Sequence, residues 1–187
     1  MSDEGYVKYK AELIDAPPPP EVVVAELNAV RQRLYDLGLI GMNDEGIGFG
    51  NLSMRSGNSG RFVITGTSTG DKRELKAEHY CEILSFDTDT NSVKAKGRIR
   101  PSSEAMSHGA VYEANPAVRA VIHVHNLALF DYMIEAEYPA TPADAEYGNA
   151  AISHAISSLV RRPRRNDAVF VSLGHVEGVF SYGPDLE

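Results

Sequence analysis

Apolar side chains between residues 21 and 39 fall at Val24, Leu27, Val30, Leu34 and Leu37. That spacing is close to the helical period, and Gly38 and Gly41 offer a stop, so an amphipathic helix is predicted there. The pattern then shortens. Residues 50–55 and 61–65 read as two strands around the Ser56-Gly57-Asn58-Ser59-Gly60 turn. A short helix is expected over 74–79, strands over 81–87 and 92–96, and a helix capped by Ser102 or Ser103 that runs to Ala114 and ends at Asn115-Pro116. Residues 118–125 form a continuous buried strand in this reading, 127–135 and 148–161 are helices, and 168–173 with 179–182 make a closing strand pair. Strands mixed with helices, without regular βαβ alternation or an internal repeat, predict an α/β fold with α+β-like layering: a largely antiparallel central sheet covered by helices.

Ahead of the first helix stands Pro17-Pro18-Pro19-Pro20, which lacks four backbone donors in succession and favours an extended polyproline conformation. Residues 1–20 are therefore expected to be a flexible arm, and 21–187 a single domain. The chain of 187 residues, 43% hydrophobic, suffices for one core without disulfides. A formal charge of −8 argues against a nucleic-acid-binding surface, and the basic cluster Arg161-Arg162-Pro163-Arg164-Arg165 reads as a solvated loop. Cys81 is the only cysteine, which suits a reducing compartment. With no run near the ~20 apolar residues of a membrane span and no basic-then-apolar leader, a cytoplasmic protein is expected.

The chemistry concentrates in Val121-Ile122-His123-Val124-His125. On a strand alternate side chains share a face, so His123 and His125 project together, about 7 Å apart along the chain at roughly 3.3 Å per residue. Neutral imidazoles are good ligands for zinc, and three protein ligands with an open position mark catalytic rather than structural sites. His175, between two apolar runs, and His154, in a helical segment, are the candidates for the third ligand. Glu104 follows Ser102 and Ser103 at a helix start, where hydroxyls and free amides can hold an anion beside the carboxylate. Thr65-Gly66-Thr67-Ser68-Thr69-Gly70 is a second donor-rich loop after a strand.

Taken together, Gly50-Asn51-Leu52-Ser53-Met54-Arg55, the Thr-rich glycine loop, Pro101-Ser102-Ser103-Glu104 with His108 one turn later, His123-Val124-His125 and Gly174-His175 resemble the zinc-dependent class II aldolase/adducin family from about Glu21 onward. The resemblance implies a three-layer αβα domain in which His123, His125 and His175 bind Zn2+ (or another divalent first-row metal), while His108 packs behind them. It implies Glu104 as the acid/base group and a second proton donor for which Tyr147, with Tyr138 as the alternative, is the candidate. Beside apolar groups and an anionic substrate the Glu104 carboxylate is expected to have a raised pKa. Asn51, Thr67, Gly70, Ser102 and Ser103 would receive the substrate's phosphate. The implied activity is a carbon–carbon lyase cleaving a small hydroxylated, phosphorylated carbonyl compound through a zinc-stabilised enediolate. A sugar-phosphate 4-epimerase and a methylthioribulose-phosphate-type dehydratase are alternatives on the same site. An adducin-like interaction module without turnover is the alternative of another class.

The family also implies a homotetramer. Two departures stand out: Gly48 replaces the small hydroxyl residue usual three positions before Asn51, and relatives continue into C-terminal helices beyond the Tyr182-Gly183-Pro184 region.

Overall fold

The computed structural model describes residues 9–161 and 166–186. Its strands in chain order are β1 (Lys10–Asp15), β2 (Gly41–Met42), β3 (Gly48–Phe49), β4 (Asn51–Arg55), β5 (Phe62–Thr65), β6 (Tyr80–Asp87), β7 (Ser92–Gly97), β8 (Ala120–His125), β9 (Ala140–Thr141), β10 (Ala168–Ser172) and β11 (Gly178–Gly183). Helices α1 (Glu21–Asp36), α2 (Ala105–Ala114), α3 (Leu127–Glu135) and α4 (Ala150–Arg161) alternate with them, and Ala77–His79 is a single 3-10 turn.

Nine strands form one sheet in the order β1-β7-β6-β5-β4-β8-β11-β10-β9. Only the outermost pairings, β1 with β7 and β10 with β9, are parallel; the others are antiparallel. Alternation then sorts each strand between two cores. Phe62, Ile64, Val121 and Phe180 pack under α2 and α4, while Leu52, Val63, Ala120 and Val124 pack under α1 and α3. This is the three-layer αβα arrangement expected from the sequence. Because β8 has period 2, His123 and His125 lie on the face of Val121, towards α2. Strand β8 is central in the sheet: His123 is carried on backbone paired along both edges, and His125 pairs with Gly178 on β11 while its N–H donates to Leu39 O at 3.1 Å.

The N-terminal arm needs correction. Residues 10–15 are not a loose segment but strand β1, which opposes Lys10 to Ser92 and Asp15 to Gly97. Their pattern is mostly exposed and gave no local signal, since a parallel partner is always remote in sequence. The basic cluster largely falls at residues 162–165, outside the described residues. Among the described residues no helix is long and apolar enough to cross a membrane.

Candidate metal centre

His123 sits opposite Asn51 on β4 and Phe180 on β11. Its ring stacks on Phe180 at 4.1 Å and 22°. Its Nδ1 lies 3.2 Å from the carbonyl of Val179, which fixes Nδ1–H as the donor and leaves Nε2 as the ligand atom. That Nε2 is 3.0 Å from Nε2 of His125. Burial, reinforced by His125 and His175, holds the His123 imidazole well below its ordinary range, so it stays neutral.

The third imidazole arrives from the turn between β10 and β11. His175 N–H donates to Ser172 O at 3.0 Å and Gly178 N–H to His175 O at 2.9 Å, with Glu177 left-handed at φ 67. Gly178 has to be glycine here, because a Cβ would stand 2.7 Å from the His175 carbonyl and 3.2 Å from the His123 ring. One ring nitrogen from each of His123, His125 and His175 lies within 4.8 Å of the other two. With Zn–N distances of about 2.0–2.1 Å, tetrahedral ligand nitrogens sit roughly 3.3 Å apart, so the donor set fits such an ion with small adjustments. His154 does not join them. It is on the surface of α4, 3.3 Å from Asp89.

Glu104 occupies the N-cap position of α2, one residue before the first turn, and is 4% exposed. Its Oε1 stands 3.1 Å from His175 Nδ1, and Ser107 donates its hydroxyl to Oε2. Burial pushes this carboxyl up, but the hydrogen bond and charge of His175, aided by Ser107, outweigh burial and hold it below its ordinary value. The expectation of a raised pKa is thus overturned in this arrangement, because the sequence did not reveal that His175 would face the carboxylate. Ser102 acts on the turn rather than as the helix cap: its Oγ accepts from Glu104 N–H at 3.3 Å.

Beside this corner lies a small cavity of about 50 Å³ lined by Asn51, Gly66, Thr67, Gly70, Ser102 and Ser103, among others. All five residues read from the sequence as anion-binding therefore meet there. Asn51 Oδ1 is buried and has no hydrogen-bond partner among the described residues, so a polar group of the side chain is left for a ligand. A larger groove of about 610 Å³ runs over Ile122, Tyr138, Val169 and Ser181 on the opposite side of the sheet, away from the imidazoles. Tyr147 is buried, and its ring lies 4.6 Å from that of His175 at 30°.

Two residues at the site, Phe49 and Tyr9, were missed in the sequence, whereas His108 packs behind the ligands as expected. Phe49 lines the cavity and has its ring 5.8 Å from His125, although as the residue before Gly50-Asn51 it carries no polar signal. His108 is buried with Nδ1 2.7 Å from Ser53 Oγ, which also meets Tyr112 Oη at 2.8 Å, so the packing histidine belongs to a polar chain behind the ligands. Tyr9, in the segment expected to be loose, is also buried near this site.

The layered sheet and the clustered imidazoles together define a protein equipped to hold a divalent cation. Residues 25–187 match the family model described as Class II Aldolase and Adducin N-terminal domain, and the chain belongs to that family. It is similar to the methylthioribulose-1-phosphate dehydratase of Gluconacetobacter diazotrophicus, with 42% identity over 79 residues, a stretch covering 42% of this chain and 35% of that protein. Among solved structures it resembles an L-fuculose 1-phosphate aldolase, with a TM-score of 0.64 and 21% identity over 90% of this chain and 78% of the other. It also resembles the l-fuculose-1-phosphate aldolase of Thermus thermophilus, with a TM-score of 0.58 and 20% identity over 89% of this chain and 81% of the other. At these identities the structural likeness shows the fold alone.

Proposed function

We propose that the protein is a metal-dependent lyase that cleaves a carbon–carbon bond in a small hydroxylated, phosphorylated carbonyl compound. The observation that carries this reading is Glu104 Oε1 standing 3.1 Å from His175 Nδ1, at the edge of the three-histidine cluster. His123, His125 and His175 would hold the ion; three imidazoles suit zinc, and other first-row divalent metals as well. Once bound, such an ion supplies Lewis acidity towards the substrate's carbonyl and hydroxyl oxygens.

The chain's own groups handle the protons and the anion. Retro-aldol cleavage requires a hydroxyl proton to leave and the carbon released as a carbanion to be protonated. Glu104, held by Ser107 and His175, would carry the proton at carbon, and Tyr147, whose tilted ring lies against His175, would serve the oxygen. Asn51, Thr67, Gly70, Ser102 and Ser103 receive the phosphate through amides and hydroxyls, without a formal cation in the cavity lining.

A second reading has its own support. The 42% identity over 79 residues to a protein named methylthioribulose-1-phosphate dehydratase favours water elimination, in which Glu104 takes a carbon-bound proton and a hydroxyl leaves as water. Product analysis on a sugar-phosphate panel separates the two: cleavage yields two carbonyl fragments, dehydration one product lighter by water, and epimerisation an isomer. We expect cleavage by the zinc-loaded protein. Glu104→Gln should lower turnover about 10²–10⁴-fold with metal content intact. A single dehydrated product, or full turnover by the Gln variant, would overturn the leading reading. Family membership also supports a cytoplasmic homotetramer, which light scattering showing only monomer would contradict.

A further inference from the structure

Tyr9 precedes the stretch that matches the family model, yet it is 5% exposed and reaches the turn that carries Ser102, Ser103 and Glu104. Its hydroxyl lies 2.9 Å from the carbonyl of Ser102 and 3.2 Å from that of Pro101. The same turn is held from the other side by the glycine loop: Ser102 N–H donates to Thr65 O at 3.0 Å and Thr67 N–H to Arg100 O at 2.9 Å. Ser102 O also accepts from Ala105 N–H at 3.0 Å, so this carbonyl is gripped by two donors at the start of α2.

We propose that Tyr9 is a positioning residue for the anion cavity: by holding the Ser102 carbonyl, it aims the Ser103 amide into the space lined by Asn51, Thr67 and Gly70. The reason is peptide geometry. The described chain has no cis peptide bond, and in a planar trans peptide N–H points opposite to C=O. Fixing Ser102 C=O towards Tyr9 therefore turns Ser103 N–H away from Tyr9, on a turn whose two serines line the cavity. Burial, with Cys81 and Tyr147 nearby, pushes the Tyr9 phenol up, so it remains a hydrogen-bond donor across physiological pH. Strand β1 anchors this donor. Lys10 N–H donates to Asn91 O at 2.9 Å, and the strand pairs with β7 from Lys10 opposite Ser92 onward. An element outside the family-matched stretch thus completes the cradle that the matched stretch lines.

The role in anion binding rests on the proposed function; the ordering of the turn does not. The test compares wild type with Tyr9→Phe, which keeps the ring and removes only the hydroxyl, and with Asp15→Ala, which removes only an exposed ion pair to Arg98 at the far end of β1 and leaves its backbone pairing intact. Hydrogen exchange over residues 99–108 and calorimetric binding of inorganic phosphate to the zinc-loaded protein are read for all three. Tyr9→Phe should speed exchange at Ser102–Glu104 and weaken phosphate binding by about fivefold, the weight of one buried neutral hydrogen bond, with zinc content unchanged. Asp15→Ala should do neither. Unchanged exchange in Tyr9→Phe, or an equal effect of Asp15→Ala, would overturn the assignment. If Tyr9→Phe alters exchange while wild type binds no phosphate, the turn-ordering role stands and the phosphate reading fails instead.

Discussion

The metal corner and the anion cradle meet where Asn51 pairs with His123, yet they are built in opposite ways. The corner is made of side chains: His123 and His125 project from a central strand, and a carbonyl or a carboxylate orients the rings of His123 and His175. The cradle is made largely of main chain. Around Gly70 the loops approach so closely that a Cβ there would lie 2.0 Å from the carbonyl of Gly41 and 2.8 Å from Cα of Gly48. A corner of side chains can be dismantled one ligand at a time. A cradle of backbone is disturbed by crowding it, or by releasing the groups that hold its peptides.

The largest separation of the two regions should come from His123→Ala. At zinc concentrations near 1,000 times Kd, the wild type should gain about 4 kcal/mol of stability, and the variant should lose that gain together with turnover. Elemental analysis and thermal melts with and without zinc measure both. A variant that still binds zinc stoichiometrically would remove His123 from the corner.

Acid should also strike the corner before the cradle. Burial pushes the His108 imidazole down to about 4, and His123 lies well below its ordinary range. The unfolded chain takes up these protons near pH 6.5 whereas the native state resists, so stability is fully present above pH 6.5 and declines as pH falls towards 4. For His108 alone the loss is roughly 3 kcal/mol. The lowered Glu104 adds a decline below its ordinary carboxyl range. Urea unfolding of the metal-free protein at several pH values should show this slope, and a flat profile between pH 6.5 and 4 would contradict it.

The contrast also explains what could be read in advance. The H-x-H pair was legible because a strand has period 2, and the helix over residues 127–135 because its apolar spacing and its bounds are local. His175 needed the family pattern, since a turn between β10 and β11 carries no periodicity that points at β8. Thr67, Gly70, Ser102 and Ser103 were legible as donor-rich turns, but not their contact, which depends on the bridge between Gly66 and Pro101. β1 and Tyr9 were invisible for the same reason: their partners lie far along the chain, and the strand's exposed pattern resembles a coil. The direction of the Glu104 shift is not legible in the sequence, which indicates burial but not the pairing with His175.

Gly70→Ala should reverse the outcome of His123→Ala. The added methyl forces the loop off Gly41 and Gly48, at about 1–3 kcal/mol of stability, as overpacking commonly costs. Phosphate binding should weaken while zinc stoichiometry stays at wild-type level. Zinc lost in parallel with phosphate affinity would show that the two regions are one cooperative unit rather than neighbours.

Tyr147→Phe carries the smallest expected effect and draws the boundary most finely, because Tyr147 touches the corner through its ring and, in the proposed mechanism, would act through its hydroxyl. The phenylalanine ring preserves the contact with His175, at 4.6 Å between centroids, so zinc content and melting temperature should hold. Only the proton on oxygen is removed. If Tyr147 serves the substrate hydroxyl, kcat should drop about tenfold, or roughly 1.4 kcal/mol in barrier, with KM little changed. A rise in KM at constant kcat would instead make the phenol a binding group for the substrate. Turnover equal to wild type would leave Tyr147 as the wall that holds His175 in place, with Glu104 as the sole proton carrier.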